Sequence, residues 1–368
     1  MHVGYAVSFQ NPENKRSDVD IYRDEVSLAE QAEPLGFDSV WVAEHHFTDY
    51  TMCPDVTQFL TYMAGRTTRV GLGSMVIVLP WHDPMRVAEQ ISVLDHLSGG
   101  RMILGLGRGL GRVEFEGFRL DQNESRAQFV EYAELLVRGL EQGYLEGGET
   151  LKQPRRDIRP FPFRSFKGRT YAAAVSPESM PIMAELGVGL LVIPQKPWNV
   201  VKQDFEVYHG VYREVNGCEA PPPLCGGFYY VDEDAARAEE MAYRWIGAYY
   251  HSVMKHYEMA DTQFGTKKGY EFYKNVTKFI DRHGKDGAAK AFVDLMPWGT
   301  PDQVLRKLEF IRDTIHMNGV MCTFSYGGMP RDDVERSLRC FSDHVLPELQ
   351  KWDTQPFAEP VPLALPAA

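Results

Sequence analysis

Long apolar runs are missing from these 368 residues. None approaches the roughly 18 residues that a membrane-spanning helix needs, so a bilayer-embedded fold is not expected. Positive charge is also short: 39 Lys and Arg face 51 Asp and Glu, a net charge of −12. That balance opposes nonspecific binding to nucleic acid or to anionic membranes, and any anionic ligand must be held by a local cationic site. Cysteine is sparse. Cys53, Cys218, Cys225, Cys322 and Cys340 are odd in number, widely scattered and never spaced Cys-x-x-Cys. The pattern excludes a zinc framework and a disulfide-stapled scaffold, and it fits reduced thiols in a cytoplasm. The chain enters an apparent first strand at His2 with no charged leader or cleavage site, which again predicts a cytoplasmic protein. A dinucleotide fingerprint is absent too. Gly105-Leu-Gly-Arg-Gly-Leu-Gly111 offers no Gly-x-Gly-x-x-Gly register, because Leu110 and Arg112 stand where glycine is needed.

What is present is an ordinary soluble composition, 44% hydrophobic and 24% charged, sufficient for a sizeable core. Strand-like and helix-like segments alternate, the signature of a parallel sheet with crossover helices. Strands are expected at 2–9, 37–46, 69–80, 101–109, 171–175, 190–193, 226–231 and 320–324, and helices at 21–35, 84–97 and 124–142. Eight strands make a closed (β/α)8 barrel the economical arrangement, with residues 1–354 as a single domain. Two segments interrupt the alternation. Residues 143–169 read as a solvated loop, with seven basic residues between Lys152 and Arg169 opposed only by Asp157. Residues 256–298 mix Gly, Lys and aromatics without steady periodicity, as a long insertion before the last βα unit, and 355–368 reads as an extended Pro- and Ala-rich tail.

The most informative stretch is Phe37-Asp-Ser-Val-Trp-Val-Ala-Glu-His-His46, an apolar strand that ends in a carboxylate and two imidazoles. In a parallel α/β fold, chemistry sits at the carboxyl ends of strands, and histidine exchanges protons near neutral pH. Taken alone, Glu44-His45-His46 reads equally as a pair of capping or surface histidines. Strict alternation puts His45 on one strand face and Glu44 and His46 on the other. Further along, Ser176-Pro-Glu-Ser179 reads as an N-cap with proline in the first helical position, a start that can hold an anion.

Residues 37–126 resemble the bacterial luciferase family of flavin-dependent monooxygenases. The matching elements are Glu44-His45-His46-Phe47, Val76-Ile-Val-Leu-Pro80, Ala88-Glu-Gln90, Leu94-Asp95, Ser98-Gly-Gly-Arg101, Arg108-Gly109, Phe115, Phe118 and Asn123-Glu-Ser-Arg126. The likeness runs on through Glu141-Gln-Gly-Tyr-Leu145, Gly269-Tyr-Glu-Phe272 and Gly299-Thr-Pro301, nearest to the luciferase α-subunit type. The resemblance implies a (β/α)8 TIM barrel with a lid at 256–298, using reduced FMN and O2 to oxygenate a small organic substrate. Lacking a nicotinamide site, the protein would take reduced flavin from a separate reductase. The resemblance makes His45 the catalytic acid–base and puts Glu44 near the flavin ring. Met75-Val76 falls at a non-prolyl cis peptide beneath the ring, with Gly107, Arg108 and Leu110 close to it. Arg126, Ser176 and Ser179 would hold the phosphate. Val175 would supply backbone at most, since glutamate stands there in the luciferase α-subunit.

The resemblance also implies a dimer, homo- or hetero-, formed through helices 54–65 and 84–97. Phe59, Leu60, Met63, Val87 and Ile91 look too many for one inward stripe, and Glu89 would need a partner near that interface. Two departures stand out. Gly107 and Gly111 replace a reactive cysteine and a tyrosine, which implies a wider or differently shaped pocket and argues against light emission with a long-chain aldehyde. The rival readings are a deazaflavin-dependent hydride-transfer dehydrogenase on the same barrel and a noncatalytic partner subunit.

Overall fold

Eight short parallel strands close on themselves. The structure, a computed structural model, describes residues 1–259 and 267–353. The barrel strands are β1 (His2–Val7), β2 (Ser39–Val42), β3 (Gly71–Ser74), β4 (Met102–Gly107), β5 (Thr170–Ala173), β6 (Gly189–Val192), β7 (Leu224–Phe228) and β8 (Gly319–Thr323). Their spatial order is β3-β2-β1-β8-β7-β6-β5-β4, and pairing of β3 with β4 completes the ring. Every pair in the ring is parallel, and β2, β4, β6, β7 and β8 are buried along their whole length. Strands covered on both faces read as continuous apolar runs, which is why all eight stand out in the sequence.

The helices, in chain order, are α1 (Asp18–Gln31), α2 (Val56–Ala64), α3 (Pro84–Leu97), α4 (Arg112–Phe118), α5 (Ser125–Gln142), α6 (Ser179–Glu185), α7 (Trp198–Asn216), α8 (Ala235–His256), α9 (Tyr273–Leu295), α10 (Pro301–Ile315), α11 (Arg331–His344) and α12 (Leu346–Gln350). Their starts follow local chemistry. Asp83 accepts hydrogen bonds from the amides of Met85 and Arg86 ahead of Pro84, and Thr300 and Gln303 form a capping box at α10. None of the helices is long and apolar enough to cross a membrane among the described residues.

The barrel interior is a separate apolar cluster of Ala6, Trp41, Ile103, Tyr171, Leu191, Leu224 and Met321. Trp41 is fully buried there and donates its indole N–H to Ser39 Oγ at 2.6 Å. Its ring fits because the strands on either side of β2 carry glycine opposite it. A Cβ on Gly73 would lie 2.2 Å from the indole, and one on Gly4 2.5 Å. A large ring between two glycines is the kind of size matching that close-packed interiors require.

Three expectations are corrected. Residues 143–169 are not an unstructured loop: Tyr144–Gly147 pairs antiparallel with Gln153–Asp157, and Arg155 and Arg156 of this ribbon are both exposed. The described part of 256–298 is mostly helix α9, bent where Gly284 takes φ +72°. Its buried Thr277, Ile280, Ala288, Ala289, Phe292 and Val293 face the rest of the molecule, so it is a core element and not an irregular connection. The third correction concerns α2 and α3. Phe59, Leu60, Met63, Val87 and Ile91 are all buried within their own chain, and Glu89 is paired with Arg86 at 2.9 Å. Those residues therefore give no reason for a second copy. The part of the insertion at 260–266 and the tail at 355–368 lie outside the described residues.

Candidate active site

Regular pleating stops at Val42, three residues before His45, and this break lets Glu44 and His45 both reach one cavity at the carboxyl end of the barrel. The cavity is about 580 Å³, within the range of small-molecule sites. It brings together all eleven residues expected to act on or bind the cofactor: Glu44, His45, Met75, Val76, Gly107, Arg108, Leu110, Arg126, Val175, Ser176 and Ser179; His46 and Gly111 do not line it. The Met75–Val76 peptide is cis.

The two acids near the mouth serve different histidines. Glu44 is buried; its Oε1 accepts from His46 Nε2 at 3.0 Å and His82 Nε2 at 2.6 Å, and its Oε2 from the Val78 amide at 2.8 Å. Burial alone would raise its pKa, but these donors hold the carboxylate below its ordinary range. His82 is raised in turn, because Glu44 outweighs its burial. Glu44 is thus already saturated by protein donors and serves to brace the strand end.

His45 has a different environment. Its Nδ1 donates to Glu114 Oε1 at 2.9 Å, and its Nε2 lies 3.3 Å from the Tyr257 hydroxyl on the cavity wall. The His46 amide donates to the same carboxylate oxygen at 3.0 Å. Glu114, completely buried at the start of α4, is held down to about 2 although burial opposes it, because His45 and His256 lie against it. The carboxylate fixes the proton on Nδ1 and leaves Nε2 facing the cavity, an arrangement suited to moving a proton. Glu114, His256 and Tyr257 are legible in no local motif. They lie 69 to 212 residues from His45 and meet it only through barrel closure.

A second part of the cavity is cationic. Arg108 Nη1 and Arg126 Nη2 both donate to the Gly269 carbonyl, at 2.8 and 2.9 Å. Gly269 has φ +82°, and a Cβ there would lie 2.7 Å from Arg108, so only glycine brings this loop so close. Burial and the neighbouring Arg108 charge lower the proton affinity of the Arg126 guanidinium. An anion at this position would relieve both. Ser176 and Ser179 share a 2.8 Å hydrogen bond, and Lys196 donates to the Val175 carbonyl at 2.8 Å. Helix α6 begins at Ser179, later than expected, because residues 176–178 form a turn closed by the Ser179 amide on the Ser176 carbonyl at 3.0 Å. Ser176 therefore does not cap it.

The two unusual glycines do not widen the pocket. A Cβ on Gly107 would lie 2.2 Å from the Val76 side chain, so Val76 occupies that space. A Cβ on Gly111 would lie 2.5 Å from Glu114 Oε2 and 3.2 Å from His256 Nε2. The far wall is apolar and aromatic, with Phe228, Tyr249, Tyr250, Tyr257, Phe279 and Phe292 among its residues.

A hydrophobic and cationic cavity with guanidinium and hydroxyl donors has room and partners for a flat heteroaromatic carrying a phosphate. The chain is 27% identical over 352 residues to the alkanal monooxygenase alpha chain of Photorhabdus luminescens, covering 94% of this chain and 97% of that one. Its fold matches the crystal structure of the monooxygenase RslO1 from Streptomyces bottropensis at a TM-score of 0.71 and 25% identity, over 95% and 100% of the two chains. The oxygenating constituent of 3,6-diketocamphane monooxygenase of Pseudomonas putida, a type II Baeyer–Villiger enzyme solved with FMN, shares the fold at a TM-score of 0.69 and 19% identity, over 96% and 99%. The family model for luciferase-like monooxygenases matches residues 1–315, and the chain belongs to that family.

Proposed function

We propose that the protein is an FMN-dependent monooxygenase that takes reduced flavin from a separate reductase and uses O2 to oxygenate an apolar organic substrate. The observation that carries this reading is a single cavity joining a cationic, hydroxyl-bearing part to a proton-handling histidine. Arg108, Arg126, Ser176 and Ser179 would hold the phosphate, with Val76, Gly107 and Leu110 against the ring. Bound reduced FMN would supply the electrons that activate O2; the hard chemistry belongs to the cofactor. The protein binds and orients it, and the aromatic wall of α8 and α9 keeps water away. His45 Nε2 gives or takes the proton, with Glu114 balancing the imidazolium charge. Tyr270 fixes the insertion over the site: its ring stacks on Arg108 at 3.9 Å, and its hydroxyl donates to the Gly109 carbonyl at 3.0 Å. A cytoplasmic location and pairing with a second chain belong to the same proposal.

Removing Arg126 and Ser176 together, each as alanine, should weaken FMN binding by roughly 10- to 100-fold, the scale of hydrogen bonds to a charged group. Riboflavin, which lacks the phosphate, should bind the variant almost as it binds the parent. Fluorescence titration with both ligands checks this, and an equal loss for both would place these residues away from the phosphate.

A further inference from the structure

His256 is buried at the end of α8 and takes no part in the proposed binding of flavin. Its Nδ1 lies 2.9 Å from Thr48 Oγ1, and the Tyr50 amide donates to the same oxygen at 3.4 Å. With the Thr48 hydroxyl as donor, Nδ1 is an acceptor and the ring proton sits on Nε2. That Nε2 faces Glu114 Oε2 at 3.5 Å, and among the described residues neither atom has a partner other than the other. The ring stacks on Tyr50 at 4.5 Å with planes 16° apart, which sets its orientation.

Gly111 makes this meeting sterically possible. Its backbone, at φ −69° and ψ 119°, is open to any residue, so no conformational demand selects glycine there. The space is the reason: a Cβ would lie 2.5 Å from Glu114 Oε2. On the surface, Arg112 ties the start of α4 to the end of α8 through Glu258, at 2.6 and 2.7 Å.

We infer that His256, admitted by Gly111, is a positioning residue that holds the Glu114 carboxylate through the oxygen that His45 does not bind and thereby sets how strongly Glu114 grips the His45 ring. This rests on the acid–base reading of His45. The titratable groups around His256 are Glu114 from α4, Asp49, Tyr50 and His45 from the segment after β2, and Tyr257 just past the end of α8. Burial lowers the proton affinity of His256 more than Glu114 raises it, so the ring acts as a neutral N–H donor. Without that donor the carboxylate turns its charge wholly to His45 and favours its protonated form.

Two measurements test this. Ring-nitrogen NMR of the flavin-free protein should show His256 as the Nε2–H tautomer, titrating below ordinary histidine. In Gly111→Ala, which pushes the carboxylate off, it should titrate lower still. With FMN and substrate, His256→Phe keeps the ring on Tyr50 and should move the pH profile of reduced-flavin oxidation to alkaline by roughly 1 unit, the scale of one neighbouring group. Gly111→Ala should move it the same way, and Glu114→Gln the opposite way. An Nδ1–H tautomer, or a stoichiometric zinc released by chelator together with a change in the His256 signals, would overturn the pairing. Expected NMR with an unmoved pH profile in all three variants would overturn the acid–base role of His45 and the positioning role with it.

Discussion

Replacing His45 by alanine should lower turnover by about 100-fold or more, the usual scale for loss of a general acid–base. The fold and the flavin affinity should change little. His45 lines the cavity beside Tyr257, while the barrel core under it is built by Trp41 and its flanking glycines. Flavin would be held by the arginines and serines, not by the imidazole. The variant leaves Glu114 with the His46 amide and His256 as partners, so the buried carboxylate is not stranded. Steady-state rates of reduced-FMN oxidation coupled to substrate, beside FMN titration and thermal melting, separate the effects. Near-normal turnover in a folded, flavin-binding variant would remove His45 from the chemistry.

The largest effect on stability should come from Asp95→Ala, about 3–5 kcal/mol, the cost of stranding one partner of a buried ion pair. Asp95 on α3 binds Arg169 through both oxygens, at 2.6 and 2.8 Å, with the two side chains 0% and 4% exposed. The same guanidinium donates to the carbonyls of Met102, Ser165 and Arg164 at 2.7 Å each. It thus joins the starts of β4 and β5, away from the cavity. Loss of the carboxylate leaves a cation in a dry site with three carbonyls and the face of the Phe166 ring around it, and no counter-charge. Urea denaturation measures the change, and a loss under about 1 kcal/mol would mean that water reaches Arg169. FMN affinity of the folded fraction should be kept, since the pair lies at the opposite end of the strands.

How much of this was legible in the sequence depended on whether the cause was local. Helix α3 is bounded by Asp83-Pro84 and Ser98-Gly99-Gly100, and its observed limits are those expected. The strand ending in Glu44-His45-His46 announced the mouth of the barrel, because ionisable residues after a buried run have few places to go. The ribbon at 144–157 was hidden by its charge: arginines on an exposed two-stranded ribbon look like loop. Helix α9 was hidden for another reason. It walls a cavity, so Phe272, Phe279 and Phe292 answer to the ligand space as well as to the core, and the bend at Gly284 breaks the period. Ser176 misled because a turn and a helix cap use the same residues. The glycine at 111 marked a departure without giving its meaning. Only the fold brings Glu114 and His256 over it and turns an apparent widening into a packing requirement.

The central claim is that this cavity is built for reduced FMN and O2. Its most direct test is to mix the protein anaerobically with reduced FMN, or with a reduced deazaflavin as control, admit air and record the absorbance of the oxidised cofactor. Reduced FMN should bind, and the oxidised spectrum should return well behind that of free flavin, with O2 consumed. The deazaflavin should bind weakly or not at all. Tight binding of the deazaflavin, with reduced FMN reoxidising in air as fast as it does free, would contradict the account and make the protein a hydride-transfer enzyme on the same barrel.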